Sequence, residues 1–284
     1  MVLLLASLCG ASAQVTVQVV TDQEQFLPGE ALPVAVRIAN RSGQTIHLGK
    51  DADWLTFSVE SADGSVVLKT GEVPVIQEFD LDSSKTATKR VDIAPYFNIS
   101  KYGRYTVTAV VNIKDWSAQV TSDPKNFDVV RGTKLWEQEF GLPRASAADH
   151  EQPEVRKYIL QQATYSKHMK LYLRLTDGPE SQVFRIVPIG PMVSFSRPES
   201  QLDRLSNLHV IYQFGSRIFL YTKITPYGEV ALRQTYDYGT SRPRLTVDNS
   251  GAVIVTGGMR HNTDSDIPPT GELLSTDVVK PPQP

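Results

Sequence analysis

Apolar residues fall at every second position along much of this chain. The longest run is Tyr105, Val107, Ala109, Val111 and Ile113; shorter ones are Val15, Val17 and Val19, then Val34, Val36 and Ile38, then Leu55, Phe57 and Val59. Side chains alternate between the two faces of a strand, so this spacing buries one face of a sheet and wets the other. That is the pattern of antiparallel sheets, and no helical period of comparable length competes with it. Ala62-Asp63-Gly64, lying between Val59 and the pair Val66 and Leu68, predicts a hairpin. About eight or nine strands over residues 14–131 suit a two-sheet sandwich.

The β period resumes after residue 154. Residues 158–162, 171–175, 183–189, 208–212, 218–224, 230–236, 242–247 and 252–256 are strand-like, with Pro226-Tyr227-Gly228-Glu229 and Asn249-Ser250-Gly251 as turns. Residues 132–154 differ. Ala145-Ser146-Ala147-Ala148 has no β pattern, Pro143 and Pro153 punctuate it, and five acids outnumber two bases. The stretch reads as an acidic linker. Trp136 and Phe140 within it read as cover for a sandwich end or domain interface, or as a docking surface for another chain. Residues 262–284, with Pro268-Pro269 and Pro281-Pro282, read as an acidic, disordered or extended tail. The expected order is therefore all-β: a sandwich over 14–131, the linker over 132–154, a second small antiparallel β domain over 155–261, and the tail.

Three stretches resemble known modules. Ile99-Ser100-Lys101-Tyr102-Gly103-Arg104-Tyr105 resembles the tyrosine corner of immunoglobulin-like sandwiches, in which the Tyr hydroxyl bonds backbone a few residues upstream. That resemblance gives Tyr105 and Gly103 structural roles. Phe26-Leu27-Pro28-Gly29-Glu30, the strand over 34–40 ending in Asn40, and Ser42-Gly43 resemble the opening of bacterial immunoglobulin-like and macroglobulin-type modules. Residues 207–258 resemble blades of sialidase-type β-propellers. A propeller needs at least four blades of ~40 residues, so the resemblance implies blade-like hairpins rather than a closed propeller. Such sandwiches host many roles, so the resemblance speaks to fold and not to function.

Hydrophobic residues are 40% and charged residues 21%, which excludes a largely disordered chain. The net charge of −2 gives the whole chain no pull on nucleic acid or membrane. Its distribution is uneven: residues 155–261 hold 14 Lys or Arg against 7 Asp or Glu, a local +7. Arg233, Arg242 and Arg244 lie close in sequence to Tyr227 and Tyr236. Arg offers bidentate contact to sulfate, phosphate or carboxylate, and Tyr offers a face for sugars. These five are the candidate ligand-binding residues, unless the arginines scatter over different faces and pair with the acidic linker and tail.

Residues 2–8 form an apolar run followed by Ala11-Ser12-Ala13, a small-x-small signal, so residues 1–13 read as a signal peptide. No run approaches the ~18 apolar residues needed to span a bilayer. The single Cys, Cys9, falls within the signal segment, leaving a mature chain with no disulfide and no Cys-based zinc site. No phosphate loop, G-x-S-x-G or H-E-x-x-H occurs, and the five His residues never lie at i, i+4. No catalytic residue, metal or cofactor is expected. The sequence points to an exported, non-enzymatic binding or assembly protein of a bacterial envelope, periplasmic, extracellular or on the cell surface. Its second domain would contact an anionic glycan or an acidic envelope protein, and not nucleic acid. The alternatives are a protein–protein scaffold with the first domain as adaptor and, less favoured, a carbohydrate-active enzyme. The sequence leaves the oligomeric state open.

Overall fold

The computed structural model describes residues 15–75, 77–142, 154–165, 168–264, 266 and 267, and the chain divides into two compact units between Val130 and Arg131. The expected signal segment, residues 143–153 and the expected tail beyond Ile267 lie outside the described residues.

The first unit holds β1 (Val15–Thr21), β2 (Gln25–Phe26), β3 (Pro33–Asn40), β4 (Ile46–Leu48), β5 (Leu55–Ser61), β6 (Phe79–Leu81), β7 (Thr86–Asp92), β8 (Gly103–Ile113), β9 (Ala118–Thr121) and β10 (Lys125–Val129). One sheet runs β1-β3-β7; a second runs β2-β10-β8-β5, with β9 also on β8; β4 and β6 form a two-stranded ribbon. Every pairing is antiparallel except β2 with β10. The period-two residues of β1, β3, β5 and β8 all point into one core, together with Trp54 and Phe127. Each such side chain stabilises the fold by about 1.5–3 kcal/mol when fully buried.

Local details follow from the sequence. The Tyr105 hydroxyl donates to the Lys101 carbonyl at 2.8 Å, tying the start of β8 to the loop before it. Gly103 between them has φ +153°, which a residue with a Cβ rarely adopts. The Glu30 carboxylate accepts the Leu27 N–H at 2.8 Å and closes the Pro28-Gly29 turn. Asn40, buried at the end of β3, donates to the carbonyls of Gln44 and Leu81 at 2.7 and 2.8 Å.

One expectation fails here. The Ala62-Asp63-Gly64 turn forms, with the Gly64 N–H on the Ser61 carbonyl at 3.1 Å, but no strand returns from it. Val66 is 93% exposed, and β5 pairs instead with β8. The long alternating β8 offers β5 a buried partner, which a two-residue apolar return cannot match.

The second unit holds β11 (Thr133–Gly141), β12 (Val155–Tyr165), β13 (His168–Asp177), β14 (Val183–Met192), β15 (Glu199–Leu202), β16 (Leu208–Gln213), β17 (Ile218–Ile224), β18 (Val230–Asp237), β19 (Arg244–Val247), β20 (Val253–Thr256) and β21 (Met259–His261). Two antiparallel sheets, β11-β12-β13-β14 and β15-β16-β17-β18-β21, enclose a core of Tyr158, Leu160, Leu171, Leu173, Leu175, Leu208, Val210, Tyr212 and Leu220. The hairpin β19-β20 places Leu245 and Val255 on Ile211, Phe219 and Tyr221, on the opposite face of β16 and β17. These strands are therefore covered on both sides, which is why residues 208–212 and 219–222 lose the polar alternation. The multiple sheets do not close into a barrel.

Part of the stretch expected as a linker is structural. Residues 133–141 form β11, paired along its length with β12, and belong to the second unit. The sequence hid this strand because it is an edge. Lys134, Glu137 and Glu139 face outward, and a register shift falls between Lys134 and Trp136. Charges and irregularities of this kind stop an edge from recruiting another strand. The opposite edge, β14, carries Pro188 and Pro191 for the same effect. The beginning of the expected tail is also held: Ile267 exchanges both backbone hydrogen bonds with Arg233, at 3.0 and 3.1 Å.

Candidate functional site

At the end of the second unit where β17 turns into β18, backbone irregularities present two aromatic rings beside one guanidinium. Thr225-Pro226-Tyr227-Gly228 makes a four-residue turn closed by the Gly228 N–H on the Thr225 carbonyl at 2.9 Å. Pro at the second position suits such a turn, and Gly228 at φ +78° supplies the left-handed residue after it. A Cβ on Gly228 would lie 3.0 Å from Cδ of Arg185, so the glycine also admits that side chain. The Tyr158 hydroxyl anchors the turn from the core, 2.8 Å from the Thr225 carbonyl and 3.1 Å from that of Ser206. Burial pushes the Tyr158 phenol well above its ordinary pKa, so it stays a donor.

Tyr227, at the tip, is 58% exposed. Phe184, 37% exposed, is the extra residue of a bulge in β14: Leu175 pairs with Arg185 and Thr176 with Val183, leaving Phe184 unpaired. A bulge re-aims the side chain it carries. Arg156, at the start of β12, serves both rings, its guanidinium carbon 4.5 Å from the centre of Phe184 and 5.4 Å from that of Tyr227. The guanidinium is fixed by Glu154 at 2.7 Å and the Pro226 carbonyl at 3.3 Å, and the side chain is only 14% exposed. Arg185 donates to the Tyr227 carbonyl at 3.4 Å and stands 3.8 Å from Glu229. Cation–π contact adds about 0.5–1 kcal/mol at such sites and fixes ring orientation.

The other candidates fall elsewhere. Arg233 and Tyr236 are three apart on β18 and so face opposite sides of the sheet, as the pairings of Thr222 with Arg233 and Phe219 with Tyr236 show. Tyr236 packs beneath the hairpin, and Arg242 lies over Phe219 at 5.1 Å. Arg244 is exposed on β19, whose neighbouring Leu245 turns inward. The three arginines do not form one face, because sequence proximity across a strand, a loop and a hairpin is not spatial proximity. Trp136 and Phe140 face the core of the second unit. Both point inward from β11, and Phe140, 7% exposed, stacks on Tyr158 with centres 4.2 Å apart. Part of the cationic excess is matched within the unit. Lys157 meets Glu139 and Glu180, Arg156 meets Glu154, Lys223 meets Asp203, and Arg260 meets Asp266 at 2.7 Å. Phe184, Arg156 and Arg185 escape sequence reading. The one available signal is Val183-Phe184-Arg185, where two adjacent apolar residues break the alternation.

A second polar cluster lies inside the fold. His209, with its side chain 4% exposed, has Nδ1 2.7 Å from the Tyr221 hydroxyl and Nε2 3.1 Å from Asp203. Burial lowers the His209 pKa, partly opposed by Asp203, so the ring is held neutral. Burial would raise Asp203, but hydrogen bonds from Asn207, His209 and Leu205 outweigh it and hold the carboxyl at about 2. Tyr221 is pushed up to about 12 by burial. With His209 and Tyr221 buried and Asp203 held by Asn207 and His209, the arrangement orders the β15–β16 turn.

Among the described residues no helix is long and apolar enough to cross a membrane. Comparison with known protein families and with curated proteins finds no match. Among solved structures the chain is similar to Spo0M, a sporulation control protein from Bacillus subtilis, over 62% of this chain and 90% of that one, at 7% identity and a TM-score of 0.31. A likeness at that score carries no argument.

Proposed function

We propose that this chain is an exported, non-catalytic binding protein of the cell envelope, and that its second unit holds a glycan on Tyr227 and Phe184. The observation that carries this is the pair of solvent-exposed rings, one on a bulge and one on a turn, splinted by the half-neutralised Arg156. Tyr and Phe supply large, rigid contact area at low entropic cost, and here that cost is already met by the splint. A sugar ring lies its C–H face on such rings, while Arg185, Glu229 and Glu154 around them are placed to bond hydroxyls. The local charges balance, so the reading favours stacking over attraction of a polyanion. Export rests on residues 2–13, and an immunoglobulin-like first unit fits the Tyr105 to Lys101 hydrogen bond.

Affinity electrophoresis of the full chain through gels of neutral and acidic polysaccharides tests this. Retardation is expected on at least one gel, little changed by salt, lost in Tyr227→Ala and Phe184→Ala, and kept in Arg242→Ala/Arg244→Ala. Steep loss with salt would mark a polyanion site instead. Absence of retardation on every gel, or its survival in both aromatic variants, refutes the reading.

A further inference from the structure

The far end of the second unit contains a hollow with different chemistry. It is about 240 Å3 in volume, room for about eight waters at ~30 Å3 each. One wall is apolar: Ile189 and Pro191 of β14, Phe214, and Ile218 and Leu220 of β17. The other wall is Arg233 and Thr235 of β18 with His261 and Thr263. Along β14 the hollow's wall runs from Ile189 to Pro191, about 17–23 Å from Phe184 at ~3.3 Å per residue, so it is separate from the aromatic pair.

Arg233 is the unusual member. It is half-buried, its Nε is enclosed without a hydrogen-bond partner, and its Nη2 reaches only the Ile189 carbonyl at 3.3 Å. Among the described residues no carboxylate lies within ion-pair distance of it, whereas the other acids near the hollow are engaged. Asp237 holds His261 at 3.1 Å, and Asp266 holds Arg260 at 2.7 Å while accepting from Thr235 at 3.0 Å. A partly desolvated cation without a counter-ion is costly, and an anion that reaches it recovers that cost. The fold also fixes this guanidinium deliberately. Gly190, at φ +156°, follows a register shift in β14 and lets the Tyr212 hydroxyl approach; a Cβ there would lie 2.5 Å from that oxygen. The Ile189 carbonyl is thereby held by both Tyr212 and Arg233, each at 3.3 Å.

Beyond Pro191 and Phe214 the walls continue into a wider hollow of about 490 Å3 that includes Met169, Met192 and the exposed Phe195. Met and Phe make adaptable apolar surfaces. We propose that the Arg233 hollow binds an amphipathic monocarboxylate, with the carboxylate on the guanidinium and the hydrocarbon chain running over Phe214 toward Met169 and Met192. An alkyl carboxylate matches one cation at the base of an apolar channel; a phosphate or a polyanion would leave charge against the apolar wall.

The test is isothermal titration of the full chain with octanoate, butyrate and octylamine, up to about 10 mM, where even millimolar binding is seen. Octanoate is expected to saturate one site. Butyrate should bind more weakly, by about fourfold for each buried methylene removed, and octylamine should not compete. Arg233→Gln should weaken octanoate at least tenfold, Arg233→Lys should retain part of the affinity, and Ile218→Phe, which fills the hollow, should weaken octanoate and leave the polysaccharide mobility unchanged. No saturable octanoate binding, equal binding of octylamine, or full affinity in both Arg233→Gln and Ile218→Phe overturns the proposal. The polysaccharide gels report the aromatic pair independently, so either reading can fail alone.

Discussion

Tyr158→Phe removes one oxygen from a fully buried ring and asks how much the β17–β18 turn depends on the core. The ring keeps its stack on Phe140, so the packing contribution is nearly unchanged. What is lost is the donor facing the carbonyls of Thr225 and Ser206, at 2.8 and 3.1 Å. One proton satisfies the nearer acceptor, and removing it takes one of two donors from the Thr225 carbonyl, which keeps the Gly228 N–H at 2.9 Å. The expected loss is about 0.5–1.5 kcal/mol, the net contribution of one intramolecular hydrogen bond. For a unit of this size that lowers its melting temperature by about 2–4 °C per kcal/mol. Native-state hydrogen exchange of amides in β12 and β13 reads the second unit separately from the first. Because burial keeps the phenol protonated, the loss should be the same across neutral and mildly alkaline pH. Glycan retardation should weaken with it, since the Thr225 carbonyl positions the turn that bears Tyr227. A loss below about 0.5 kcal/mol, the range of ordinary surface substitutions, would refute the view that the hydroxyl couples core to turn.

Gly228→Ala places a Cβ in a left-handed residue 3.0 Å from a flexible Arg185 carbon, so backbone strain dominates; a loss of about 1–2 kcal/mol is expected in urea melts, together with weaker glycan retardation. Phe140→Ala should destabilise the second unit by about 3–5 kcal/mol, seen in the same exchange measurement; unchanged stability would refute a core role for this residue. His209 is held neutral by burial, with a folded pKa below its ordinary 6.5. Its contribution is therefore complete above that value and is lost as pH falls through the folded pKa. Urea midpoints taken between pH 7.5 and 5 should decline, and His209→Gln should flatten the decline.

The alternation of Tyr105, Val107, Ala109, Val111 and Ile113 alone determines that β8 is a strand with one buried face, because a period of two has no other compact solution. The same logic yields the β1, β3 and β5 faces and an all-β chain. Turn chemistry was equally local: Pro226 and Gly228 announce a turn whatever surrounds them. Three things needed the tertiary structure. The strand β11 carries charged edge residues that look like a linker until β12 lies beside it. The sequence marks β16 and β17 as strands, but that both their faces are buried follows only from the β19-β20 hairpin lying over them. The separation of Arg233 from Arg242 and Arg244 depends on which face of β18 each neighbour meets, and residue spacing across a turn does not encode it. Phe184 joins Tyr227 on Arg156 only because a bulge shifts the register of β14, an event fixed by how Leu175 and Thr176 pair, of which the adjacent Val183 and Phe184 are the one local sign.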